Sequence, residues 1–390
     1  RLLHSVTAAG PDISVYLTAY GNFERPGSIR YPAFTTDINY FRPTGRVDRI
    51  TVPGLMSLNY EYTDAGDVDS IYDSVRNFSY TYGYDNLHRL TRETAIGPFY
   101  RPADRSIDLH YEATEPHAVS RVVADDDERS LIYEDNGNLT IGYDFSTPGR
   151  FAERRLQYNT ENMPLSIEYQ PEGGSTVVTR LTYDGDGRRV KKTNGANTVI
   201  YVDETYEIRN GRPVKYVFAG NMRLAKIVGS SVHYYHKDHL GSSALVTDSG
   251  GNLVDSIVYE PYGRTRQTCQ ITSGDVAYSY TDQEWDAETG LYNYDARLYD
   301  PVLGRFISAD SVVPDWYNPQ MLDRYAYALN NPLQYVDPDG HAVVTGAVIV
   351  MGVTAWLYDA IMSPSAANAP SANDQTYDRA GPVEIGGNML

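Results

Sequence analysis

Tyrosines recur through the first half of the 390-residue chain at nearly constant intervals. Tyr20, Tyr40, Tyr62, Tyr84, Tyr111, Tyr133, Tyr158 and Tyr183 are separated by 20, 22, 22, 27, 22, 25 and 25 residues. A fixed period of this size is the mark of a repeat architecture. Most of these tyrosines are followed by a turn and then an apolar residue, as in YTDAGDV (Tyr62 to Val68), YDNLHRL (Tyr84 to Leu90), YEDNGNL (Tyr133 to Leu139) and YDGDGRRV (Tyr183 to Val190). Gly66, Gly137 and Gly187 each stand four places after their tyrosine and supply the positive φ that a tight reversal requires. Alternation such as Asn59-Tyr60-Glu61-Tyr62 suits a strand with one buried and one exposed face. One such hairpin cannot bury its apolar face alone, so neighbours must stack into a continuous sheet. Before about residue 340 no segment carries a long helical period with caps. The expectation is an all-β body, a long antiparallel sheet that coils on itself. An ordinary tyrosine-rich β-sandwich is the competing architecture.

Composition narrows the function. There are 35 tyrosines but 9 phenylalanines, so the aromatic content is tyrosine-specific and suits half-buried positions with an apolar ring and a wet hydroxyl. The formal charge is 33 − 51 = −18, a field that repels phosphate backbones and argues against nucleic-acid binding as the main activity. With 41% hydrophobic residues the chain can build a core. Its one cysteine, Cys269, excludes an internal disulfide framework and a thiolate metal cluster. The opening RLLHSVTAAG has no initiator Met and no leader pattern, which reads as a fragment of something longer.

The motif Y-D-x-x-G-R-L is the tyrosine–aspartate repeat, and the chain resembles the RHS/YD-repeat family. YYHKDHLGSSALVTDSGGNLVDSIVYEPYGRTR (Tyr234 to Arg266), YTDQEWDAETGLYNYDARLYDPVLGRFISAD (Tyr280 to Asp310) and YAYALNNPLQYVDPDG (Tyr325 to Gly340) carry the resemblance most specifically. It implies YD-repeat β-hairpins coiled into a hollow shell, or β-cocoon, with an inward-spiralling RHS core as plug and a variable C-terminal segment, often a toxin, held inside. Residues 1–215 would then be a YD-repeat shell segment, 216–341 the RHS repeat-associated core and plug, 342–362 a hydrophobic segment, and 363–390 a flexible tail or the start of the variable region. The implied function is a secreted or cell-surface shell that encloses and delivers its own C-terminal peptide, with a toxin-complex or secretion-apparatus subunit as partner. Wall-associated and teneurin-like relatives leave a non-catalytic adhesion role open. A carbohydrate-active enzyme, a third class, has no motif here.

The resemblance also implies an intramolecular aspartyl protease built from Arg305 of GRFISAD, Asp310 and Asp337 of VDPDGH, cutting near Gly340 and His341. Two carboxylates brought close cannot both ionise, so one activates water while the other, protonated, polarises the scissile carbonyl. An arginine beside them would orient one carboxylate. The chain departs from the pattern at Asp310-Ser311-Val312-Val313, where a second Asp-Pro-x-Gly is usual, and at His341, where leucine is usual. Asp339 adds a third acid. The alternative is that Asp310 and Asp337 only cap turns while Arg305 is a buried ion-pair partner.

Other candidates weigh less. His233, His236 and His239 invite a metal reading, but strand geometry turns them to different faces, and no cofactor or metal is expected. Asp184, Asp186 and Gly187 echo a calcium loop without its bidentate Glu. Trp285 and Trp316 are expected at the plug, and Cys269 lacks a basic neighbour that would activate it. The stretch 342–362 has one charge, Asp359, and is long enough to touch or span a bilayer, or to pack against the plug.

Overall fold

The computed structural model describes residues 5–8, 13–18, 27–41, 44–97, 107–111, 117–124, 127–147, 150–266, 276–312, 317–341 and 343–345. Strands dominate, and the helical turns among the described residues are short 3₁₀ segments. Every sheet is an antiparallel meander in which each strand pairs with its sequence neighbours. Nine strands run from Ser5–Ala8 to Leu90–Ile96, three from Ile107–His110 to Asp127–Ser130, and thirteen from Ile132–Tyr133 to Leu253–Ser256. Four more, Glu284–Asp286 to Arg305–Phe306, form a separate small sheet. The first strand, Ser5–Ala8, lies beside Arg212–Ala219 of the thirteen-stranded sheet, so the meander returns on itself as a coil.

Each repeat is held by the same local chemistry. The strand pairing slips by one residue at Tyr40, Tyr62, Tyr84, Tyr133, Tyr158 and Tyr183, so these ladder tyrosines sit at bulges. At four of these bulges the side chain lies back along the sheet, where its hydroxyl meets a carbonyl of an earlier strand. Tyr62 Oη donates to Val47 O at 2.8 Å, Tyr84 to Val68 at 2.8 Å, Tyr158 to Leu139 at 2.9 Å and Tyr183 to Pro164 at 2.9 Å. These hydroxyls are therefore stitched to backbone rather than wet, which explains why phenylalanine could not serve. The next residue closes the turn: Asp85 Oδ1 accepts from Leu87 N and Arg89 N, and Asp184 Oδ1 accepts from Asp186 N and Arg188 N. Gly66, Gly137 and Gly187 have φ of 97°, 81° and 79°, as the turn pattern requires.

The inner face of the wall packs on the last part of the chain. Ile50, Val52, Met56 and Tyr60 of the nine-stranded sheet share a core with Leu224, Leu245 and Leu333. Leu139, Phe145, Ile167 and Leu181 of the thirteen-stranded sheet share another with Leu291, Leu298 and Ile307. A third cluster lies within the small sheet and its neighbours: Tyr280, Tyr292, Tyr294, Tyr299, Phe306 and Tyr327, all nearly inaccessible. A cavity of about 60 Å³ remains between the nine-stranded sheet and this region, lined by Tyr60, Phe78, Tyr82, His239 and Tyr280 among others.

Buried ions join wall to core. Arg154 Nη1 bonds Asp300 Oδ2 at 2.5 Å, and its Nε donates to Thr289 O at 2.7 Å. Arg189 and Lys192 both engage Asp286, and Arg209 reaches Glu284 Oε1 at 3.0 Å. Burial alone would raise the Glu284 carboxyl, but Lys192, Arg209 and Arg189 outweigh it and hold it down at about 2.

Candidate functional site

The acids Asp310 and Asp337 converge on one arginine, Arg297. That residue begins the strand Arg297–Asp300, directly after a tight turn in which Asp295 has φ of 55°. The strand is buried along its whole length, so a cation there must find acids. Arg297 Nη2 stands 3.0 Å from Asp310 Oδ2 and 3.3 Å from Asp337 Oδ2. Its Nη1 donates to Arg324 O at 2.9 Å, its Nε donates to the carbonyl of Gly340, and its guanidinium lies 3.6 Å from the Phe306 ring centre. The Asp-Pro-Asp-Gly turn is fixed by Gly340 N donating to Asp337 Oδ1 at 2.8 Å and by Gln283 Nε2 donating to Pro338 O at 2.8 Å. Gly340 has φ of 82°, and a Cβ there would meet Tyr294 O at 2.5 Å, so both backbone shape and space demand glycine.

The two acids differ in setting. Asp337 is 1% exposed, and burial, reinforced by the charges of Asp339 and Asp310, pushes its carboxyl up to about 7 despite Arg297 and the Gly340 amide. Asp310 is held at both oxygens: Oδ2 by Arg297, and Oδ1 by Val312 N at 2.9 Å and His341 Nδ1 at 2.8 Å. The bond to Asp310 raises the His341 imidazole above its ordinary value. One carboxyl that carries a proton near neutrality, a second carboxyl beside it and a cation on a backbone carbonyl are what acid–base attack on that carbonyl requires.

Arg305 lies elsewhere. Its Nη1 bonds Asp323 Oδ2 at 2.9 Å and its guanidinium stands over Tyr111, so its partners are other than Asp310 and Asp337. Arg297 is the one cation in a run, LYNYDARLYD, otherwise rich in tyrosine and leucine.

Residues 214–333 match the family model described as the teneurin YD-shell. In this stretch and in its fold the chain is similar to the RHS/YD-repeat family. Salivary gland surface protein 1 of Aedes aegypti is 30% identical over 250 residues, covering 59% of this chain and 7% of that protein. Toxin subunit YenC1 of Yersinia entomophaga is 36% identical over 120 residues, covering 30% of this chain and 12% of YenC1. The crystal structure of TcdB2-TccC3-Cdc42 superposes with a TM-score of 0.62 and 22% identity over 86% of this chain and 20% of that one. The chain thus spans a small part of each relative, and the likeness to the solved structure is one of fold: an RHS shell.

In this RHS shell the remaining candidates have structural partners. His236 bonds Thr36 Oγ1 at 2.8 Å through Nδ1 and Thr247 Oγ1 at 3.0 Å through Nε2, and burial lowers it to about 3. His239 lies beyond the strand Ser231–Lys237 that holds His233 and His236, and its Nε2 donates to Leu333 O at 3.0 Å. Asp184 holds its YD turn. Trp285 packs on Tyr292 with ring centres 4.7 Å apart. Trp316, Cys269 and nearly all of 342–362 lie outside the described residues. Among the described residues no helix is long and apolar enough to cross a membrane, which says nothing of β-barrels.

Proposed function

We propose that this chain is the plug-bearing end of an RHS shell that encloses a C-terminal toxin or effector peptide and severs it between Gly340 and His341. One observation carries the reading: Arg297 joins Asp310, Asp337 and the Gly340 carbonyl in a single buried site. In this reaction Asp310 takes a proton from water as the oxygen attacks the Gly340 carbonyl carbon. Arg297 Nε stabilises the oxyanion, and the proton held by Asp337 passes to the departing nitrogen of His341. The peptide C–N bond breaks, leaving a Gly340 carboxylate and a His341 amine. In this reading 1–215 serve as wall and 216–341 as core and plug, and His341 leaves with the peptide from 342 onward as cargo. The toxin-subunit relative supports secretion and a place in a toxin complex. The test is the intact mass of the purified chain. Wild type yields two products that meet at Gly340/His341, while Asp310→Asn and Asp337→Asn yield one uncut chain; a wild type that never cuts removes the protease.

The match to a surface protein favours a second reading, adhesion without catalysis. Stable display of uncut chain on cells, with binding to a glycan or receptor, would support it.

A further inference from the structure

His341 is more than the residue after the cut. Its Nδ1 lies 2.8 Å from Asp310 Oδ1, while Arg297 Nη2 lies 3.0 Å from Asp310 Oδ2 and Val312 N takes a second position on Oδ1. The carboxylate that must accept a proton from water is therefore held at both oxygens, and two of its three partners are cationic when the imidazole is protonated. Each such partner occupies an oxygen to which the water proton would have to go. We propose that His341 is a positioning residue that holds Asp310 as an ion pair and so restrains cleavage until the imidazole loses its proton. This inference rests on the self-cleavage reading above.

The surroundings define the direction of the effect. His341 is faced by Asp310 from the segment after Arg305–Phe306, by Arg297 from the central strand and by Asp339 from its own turn, where Asp339 Oδ1 accepts from His341 N at 3.0 Å. Asp337 reaches it only through Arg297, and Arg324 contributes its Nε to the carbonyl of Asp310 at 2.6 Å. The carboxylates favour the imidazolium and Arg297 opposes it. The bond to Asp310 is the strongest of these influences, so the imidazolium persists above the ordinary histidine range. As the pH rises the imidazole becomes neutral and the ion pair that holds Asp310 Oδ1 is lost. Asp337 must keep its proton for the leaving nitrogen, so the wild-type rate has a rising limb set by His341 and a falling limb set by Asp337.

The experiment follows product formation by intact mass in the full chain for wild type, His341→Leu, His341→Gln and Asp337→Asn. Leucine removes the contact; glutamine can keep a neutral donor on Asp310. At about pH 6 both His341 variants should cut about tenfold faster than wild type, and the gap should close by about pH 8. Asp337→Asn should stay whole at every pH. Equal rates at about pH 6, or a gap that does not change with pH, would overturn the restraint and leave the protease reading standing. A single uncut mass in wild type and in both His341 variants would overturn the restraint together with the protease.

Discussion

The wall and the plug use the same residues for opposite purposes. In the wall, a tyrosine at a bulge stitches one repeat to an earlier one, and charge pairs such as Arg89–Asp85 at 2.6 Å lie at the surface within a single turn. In the plug, Tyr292, Tyr294, Tyr299 and Tyr327 are fully buried, packing in tilted and edge-to-face pairs with ring centres 4.5–6.5 Å apart. There the charge pairs span long stretches of sequence, as Arg154–Asp300 does. A repeat can be stabilised locally because each hairpin has neighbours in the chain. The plug's four strands also pair with their neighbours, but that small sheet is held in place by distant residues that surround it. That enclosure is what gives Asp337 a raised carboxyl; the same Asp-Pro-Asp-Gly turn at the surface would ionise normally.

The comparison breaks most sharply at Arg154. Arg154→Ala leaves Asp300 and Asp144 buried without their cation and should cost about 3–5 kcal/mol, read as a fall in the denaturation midpoint. Next comes the pH dependence of the plug. Asp337 is raised in the folded state, so its contribution is full below about pH 4 and is lost as pH rises through about 7. Asp337→Asn, free of that loss, should gain on wild type in urea melts taken from about pH 4 to 8; a constant difference would show that Asp337 is not buried as described. Glu284 has the opposite sign: its stability is present above the ordinary glutamate value and lost as pH falls toward about 2. In the wall, Tyr158→Phe removes one hydroxyl from Leu139 O and should cost about 1 kcal/mol. Smallest is Asp85→Ala, at an exposed turn, where the same melts should scarcely move.

The wall was largely legible in the sequence because its rules are local. Period, turn glycines and the tyrosine–aspartate pair lie within one repeat, and Gly66, Gly137 and Gly187 adopt the left-handed turn that their spacing implies. Even there the hydroxyls are not solvated as the composition suggests: at Tyr62, Tyr84, Tyr158 and Tyr183 a bulge, invisible in the alternation, accompanies a bond to a carbonyl 15–19 residues earlier. Of the residues the sequence points to, the fold brings Asp310 and Asp337 to one arginine, Arg297, and places Arg305 on Asp323. Arg305 and Arg297 are both arginines in strands beside Asp310, and only the folded hairpin determines which one faces the Asp-Pro-Asp-Gly turn. His341 was noted as a departure from leucine, but its bond to Asp310 joins residues 31 apart and no spacing reveals it.

The most direct test of an enclosed plug inside a repeat wall is native-state hydrogen exchange resolved by residue. The amides of Leu291–Tyr294 and Arg297–Asp300 should exchange only through global unfolding, while the turn from Asp85 to Arg89 opens locally and far faster. Equal and rapid exchange in both places would contradict the enclosure on which the acid site depends.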